Sequence, residues 1–263
     1  MARSIWKGAI SFGLVTIPVK VYGATEEKDI SFRQVHLADG GRVRYKRVCE
    51  ACSAEVPFAD IGKGYDAADG RLAILESADF AGLPSAEGKT VEVVRFVEVD
   101  QVDPTYFNKT YFLEADGVGV KPYVLLREAL AATGKAAVVK LALRSRETLA
   151  LIRPVGEVLR LHTMLWPDEL RDDTFVRPPT EIAATEPELA MAAMLIDQLS
   201  GDFDPDAYTD TYRQELEKVI EAKLDGVELP EAAEEGPRAE VVDLVAALRA
   251  SVEAAKARRA AAS

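Results

Sequence analysis

A chain of 263 residues, 48% apolar and 29% charged, is long enough for a packed core and too apolar to be intrinsically disordered. No apolar run approaches the roughly 20 residues of a membrane span, and the opening MARSIWKGAISFGLVTIP is interrupted by Lys7, Gly8, Ser11 and Gly13, unlike a secretory signal. The net charge of −12 argues against a nucleic-acid partner by its sum but not by its distribution: residues 1–50 hold nine Lys/Arg against five Asp/Glu, a net of +4, while residues 51–200 carry −9 and residues 201–263 carry −7.

The positive island peaks in GRVRYKRVCEAC, Gly41 to Cys52, where Arg42, Arg44, Lys46 and Arg47 run into a Cys-x-x-Cys. At physiological salt a field decays over about 8 Å, so such an island attracts phosphate locally inside an acidic chain; a solvated basic hairpin explains it equally well. Read as a strand, RVRYKRV puts Arg42, Arg44 and Lys46 on one face and Arg47 near the cysteine turn. Cys49 and Cys52 are the only cysteines, which fits a reducing cytoplasm rather than a structural disulfide. They follow a strand pattern instead of opening a helix, so a metal knuckle suits them better than a thioredoxin-like motif. Zinc needs four ligands, commonly two pairs, and the other nearby pair is His36 with Asp39. Two packed thiols, or a redox adaptor using Cys49 and Cys52, remain open.

Period-two alternation predicts strands over Thr90–Val99, Thr110–Glu114, Ala136–Arg144, Thr148–Val155 and Val158–Trp166, with a turn at Pro154–Gly156. Helical spacing over Tyr123–Thr133, closed by Gly134, predicts one helix among them. Beyond Arg177–Pro179 the period changes. Thr185-Glu186-Pro187-Glu188 is a capping box opening a helix to about Leu199, and a second helix is expected from Asp204-Pro205 to Gly226. The class is α+β with a helical appendage. Val227–Arg238, VELPEAAEEGPR, reads as an acidic linker. It is followed by a helical stripe of Val241, Val242, Leu244, Val245, Leu248 and Val252, which either docks on another protein or folds back on the main domain.

No catalytic constellation appears: the sequence lacks a nucleotide-binding glycine fingerprint and a Gly-x-Ser-x-Gly elbow. The acid pairs Asp100/Asp103 and Glu114/Asp116 sit beside turns. Both histidines fall on expected strands, and His162 in LRLHTMLW reads as a core residue rather than a base. A non-enzymatic protein is expected.

The segments IWKGAISFGLVTIPVKVYGATEEKDISF, RVRYKRVCEAC, YVLLREAL, RETLALIRP, TMLWPDELRD and DFDPDAYTDTYRQELEKVIEAKLDG, with the terminal VVDLVAALRASVE, resemble the bacterial Ku proteins in order over nearly the whole chain. The resemblance implies a Ku-type β-barrel core over residues 1–180 with an inserted bridge, a zinc-ribbon-like hairpin, at about 31–75. A helical arm at 181–226, a linker at 227–240 and a C-terminal helix at 241–263 would follow. It implies a nucleoid-associated homodimer that forms a ring around double-stranded DNA ends, without sequence preference, in non-homologous end joining. DNA ligase D would be recruited through Val241, Leu244, Val245, Leu248 and Val252. The zinc ribbon of some family members has a cysteine where this chain has Asp39, and the lysine-rich tail of many relatives is replaced by AKARRAAAS.

Overall fold

The computed structural model describes residues 3–80, 83, 88–143, 146–180, 182–227 and 253. Strands β1 (Trp6–Phe12), β2 (Val15–Gly23), β5 (Thr90–Glu98), β6 (Phe107–Ala115), β7 (Lys135–Leu143), β8 (Arg146–Val155) and β9 (Val158–Met164) close a barrel in the order β1-β2-β6-β9-β8-β7-β5. A small antiparallel hairpin, β3 (Lys63–Asp66) with β4 (Leu72–Leu75), lies in the long excursion between β2 and β5. Chain contacts divide the protein after Asp172 into two units.

Alternation builds the barrel. In β2, Ile17, Val19 and Val21 are essentially inaccessible to water, and their intervening neighbours point outward. Inward side chains of every other barrel strand, among them Ile10, Val91, Leu113, Val139, Ile152 and Leu161, join the same core. Helix α1 (Val120–Thr133) adds Tyr123, Leu126 and Leu130. The Tyr123 hydroxyl donates to the Leu113 carbonyl and accepts from the Leu159 N–H, both at 2.7 Å, so this buried phenol is fully satisfied. Gly134 ends the helix in the left-handed conformation, as expected from its position.

Closure depends on a parallel pairing of β1 with β5, the other barrel pairings being antiparallel. Ala9 N–H donates to the Lys89 carbonyl at 2.9 Å just before the seam. A Cβ on Gly8 would lie 2.1 Å from that same carbonyl oxygen and equally close to the Trp6 ring, so only glycine fits. The chain then turns into β2 through Gly13 at φ +58°.

A second, smaller core lies outside the barrel. Ala136, Leu151 and Met164 are covered by Val97, Val99, Val102, Tyr106 and Phe107, so the connection from β5 to β6 is folded over the β7–β8–β9 wall.

The second unit contains α2 (Glu186–Leu199) and α3 (Thr211–Leu224). The capping box at α2 is formed: Glu188 accepts from the Thr185 N–H and hydroxyl, both at 2.7 Å, and its carboxyl is held below the usual range by those bonds. The expected helix from Asp204 is split instead. Pro205–Ala207 makes one 3-10 turn, and α3 begins afresh with Asp210 accepting from the Arg213 N–H. Neither helix buries a single residue. Val241, Leu244, Val245, Leu248 and Val252, the expected docking stripe, lie outside the described residues. Among the described residues no helix is long and apolar enough to cross a membrane.

Candidate nucleic-acid interface

The basic run does not form the continuous strand that its alternation suggests. Two isolated bridges, Val35 with Arg42 and Val48 with Glu55, each close a separate turn. In the first turn, the Gly41 carbonyl accepts from the His36 N–H and the His36 carbonyl accepts from the Gly40 N–H, both at 2.8 Å. The Asp39 carboxylate accepts from the Gly41 N–H at 2.8 Å and contacts His36 Nδ1 at 3.1 Å, and these bonds, the backbone one first, hold its pKa low. His36 thus lies in a turn rather than on a strand. In the second turn the Cys49 N–H donates to the Ala54 carbonyl, and Ser53 adopts a positive φ of 57°. The Cys49 thiol is held below its usual pKa by the Cys52 N–H, then the Cys52 side chain, then the Ala51 N–H.

Two pairs of candidate ligands therefore sit in two turns, and the expected four-ligand set is not assembled. Among the described residues no three His, Cys, Asp or Glu side chains group to hold a metal ion. The physical reason is local: Asp39 spends its carboxylate on its own turn, and each turn is closed by its own bridge.

The four expected cations divide. Lys46 is committed to Glu55 at 2.7 Å, and Arg47 lies over the Phe58 ring at 5.3 Å. Arg42 and Arg44 have no carboxylate within ion-pair distance among the described residues. Nor does Arg33, a residue outside the basic run that the sequence pattern does not single out. Pairing Val35 with Arg42, and the Val43 N–H with the Gln34 carbonyl at 3.1 Å, carries the register on to Arg33 beside Arg44. The signal for it lies in Asp39-Gly40-Gly41, a hairpin turn that folds the preceding residues back on the basic run. Arg33, Arg42 and Arg44 share a surface cleft of ≈ 670 Å³ with Phe32, Gln34, Val43 and Tyr45. The Tyr45 hydroxyl donates to Gln34 across the turn, and both Phe32 and Tyr45 are exposed. Three guanidiniums without an ion-pair partner among the described residues, beside two exposed rings, form a surface suited to a polyanion with flat components.

His162 occupies the barrel wall, as the sequence suggests. Its Nε2 accepts from Arg153 Nε at 3.1 Å, which places the ring proton on Nδ1, 3.0 Å from the Thr110 hydroxyl. Burial, then the charges of Arg153 and Arg160, lower its pKa. A base for catalysis needs an open site around it, and this ring is enclosed by Phe107 and two strands.

The cationic cleft is thus carried by the long excursion between β2 and β5 of a closed seven-strand barrel. The model of the Ku70/Ku80 beta-barrel domain matches residues 11–191. The non-homologous end joining protein Ku of Frankia casuarinae is 52% identical over 98% of this chain, and Ku 2 of Saccharopolyspora erythraea is 48% identical over 98%. The Ku of Mycobacterium tuberculosis is 44% identical over 96% of this chain and 95% of its own length. The chain belongs to the Ku family. It spans 65% of the Frankia relative's length and 85% of the Saccharopolyspora one. A redox adaptor working through Cys49 and Cys52 finds no support in these matches.

The neutral state of His162 predicts a stability signature. Its folded pKa is lowered, so its contribution is fully present above the unfolded value of about 6.5 and is lost as pH falls through the folded one, at up to about 1.4 kcal/mol per pH unit. Urea unfolding of His162→Gln and the parent at several pH values from 7 to 4.5 should give curves that diverge below about pH 6.5, the parent falling faster. Parallel curves would contradict the assignment.

Proposed function

We propose that this protein binds the ends of linear double-stranded DNA without sequence preference, as a ring-shaped homodimer acting in break repair by non-homologous end joining. The observation that carries the reading is the cleft of Arg33, Arg42 and Arg44, which have no ion-pair partner among the described residues, on an otherwise acidic chain. Guanidiniums on a turn, with no helix presenting donors to base edges, suit phosphate contact, which is indifferent to sequence. The protein's part is positional and not catalytic.

Dimerisation is supported by the second unit. In α2, Leu189, Met194, Ile196 and Leu199 are exposed, as are Tyr212, Val219 and Leu224 in α3. Helices this short are marginal alone in water and draw their stability from burying an apolar face. A second copy of the chain supplies that cover and completes the ring.

The cation trio predicts a salt signature. Replacing Arg33, Arg42 and Arg44 by Gln should weaken binding to all duplexes alike and flatten the log–log salt dependence by about 0.9 per lost phosphate contact. Lys46→Gln, which removes a charge already neutralised by Glu55, should change the slope far less. Equal effects from the two would place the contacts elsewhere.

The proposed partner of the stripe from Val241 to Val252 is DNA ligase D. Deleting residues 239–263 should leave DNA binding intact and abolish stimulation of that ligase in an end-joining assay. Undiminished stimulation would assign recruitment to another surface.

A further inference from the structure

The cysteine turn takes no part in phosphate contact, yet its backbone is fixed from both sides. The Val48–Glu55 bridge closes its base, and just outside it the Val56 N–H donates to the Arg47 carbonyl at 2.9 Å. Within it the Cys49 N–H donates to the Ala54 carbonyl at 2.9 Å, and the Ser53 N–H to the Cys49 carbonyl at 2.8 Å. Ser53 takes a positive φ of 57°, directly after Cys52. The two thiols share this turn and hydrogen-bond each other, with Cys52 exposed and Cys49 half-buried. The Cys49 sulfur also accepts from the Cys52 and Ala51 N–H groups. Backbone donors aimed at a sulfur favour the thiolate, which is the form that ligates metal.

Two thiolates fill half of a tetrahedral shell, and a closed structural zinc site takes four ligands. The same-chain candidates are held elsewhere. Asp39 accepts from the Gly41 N–H at 2.8 Å and sits 3.1 Å from His36 Nδ1, in a turn closed by its own bridge. Among the described residues no third His, Cys, Asp or Glu joins the two cysteines. A second copy supplies the missing pair, because in a two-fold dimer a patch near the axis meets the same patch of its partner. Four thiolates around a divalent ion leave a net negative charge. Arg47, two residues before Cys49, has no carboxylate within ion-pair distance among the described residues and offers a compensating cation from each copy.

We propose that Cys49 and Cys52 of two copies hold one zinc ion between them, a four-thiolate site that joins the excursions of the homodimer. The site rests on the reading of the protein as a ring-shaped homodimer, and it makes the joint between the two excursions a metal clasp. Each chain gives up its two thiol protons to solvent as the ion binds, so metal affinity falls as pH falls. One chain offers only half the shell, so tight metal binding and pairing of the two turns occur together.

The test uses the full chain, purified without chelator and loaded with zinc, or with cobalt as its spectroscopic stand-in. Metal content should be about one zinc per two chains, and the cobalt form should absorb as a tetrahedral ion bound by four thiolates. Cys52→Ser should lose the metal, whereas His36→Ala combined with Asp39→Ala should keep it. Metal retention should fall on dilution of the protein, because the shell comes apart with the dimer. A preparation that is dimeric and binds linear duplex but takes up no metal would overturn this site alone. So would about one metal per chain, or loss of metal in the His36 and Asp39 variant, since either returns the site to a single chain. A chain that is monomeric at every concentration and has no affinity for duplex would overturn both the site and the reading on which it rests.

Discussion

The structure depends on one close approach, between β1 and the chain entering β5. Six of the seven barrel contacts are antiparallel, and the barrel closes only because β1 also accepts β5 in parallel along Ala9, Ile10 and Ser11. Gly8 makes that seam possible, since any side chain there would strike the Lys89 carbonyl and the Trp6 ring. A closed barrel has no exposed edge to recruit other strands, and its interior is filled by Ile10, Ile17, Val21, Val91, Leu113 and their neighbours. Once the seam is shut, the excursion between β2 and β5 must leave and return at strands on either side of β1. That constraint sets a long, largely exposed segment on a rigid base.

Charge is arranged to match this division of labour. Around the barrel several cations are matched, with Lys20 on Asp116 at 2.9 Å and Lys140 near Glu147 at 3.5 Å. Among the described residues, Arg33, Arg42 and Arg44 on the turn have no carboxylate within ion-pair distance, and neither do Arg153 and Arg160 on the wall. Arginine suits both places, because its planar fork reaches two oxygens at once and it can lie over a ring, as Arg160 does over Phe112. The acidic remainder of the chain repels a polyanion from surfaces where it is not wanted.

Much of the barrel is legible in the amino-acid pattern, and the illegible parts share a cause. Strands β5 to β9 and helix α1 match the expected segments to within a few residues, because one-sided burial imprints a period of two or of 3.6. β1 and β2 do not stand out as strands, since Gly8 and Pro18 interrupt them. Their pairing is imposed by the closed barrel, which no local window contains. The opposite holds for Arg42 to Val48. This stretch alternates like a strand but has no ladder to join, so two short turns replace it. The same non-locality hides Arg33 and the Arg153–Arg160 pair, residues distant or isolated in sequence that register alone brings together. It also explains why the His36, Asp39, Cys49 and Cys52 spacing looks like a ligand set while each pair closes its own turn.

On the proposed function, discrimination between a broken end and intact duplex is topological, because phosphate contacts by arginine are the same at both. Competing internal sites outnumber ends so heavily that charge alone could not select them. The decisive comparison sets binding to a linear duplex against binding to a covalently closed circle of the same length and sequence. Both ends of a preloaded linear fragment are then blocked and the complex is washed with high salt. A ring threaded from an end gives poor binding to the circle and retention on the blocked fragment through a wash that strips unblocked DNA. Equal affinity for circle and linear fragment, with loss from blocked and unblocked DNA alike, would contradict it.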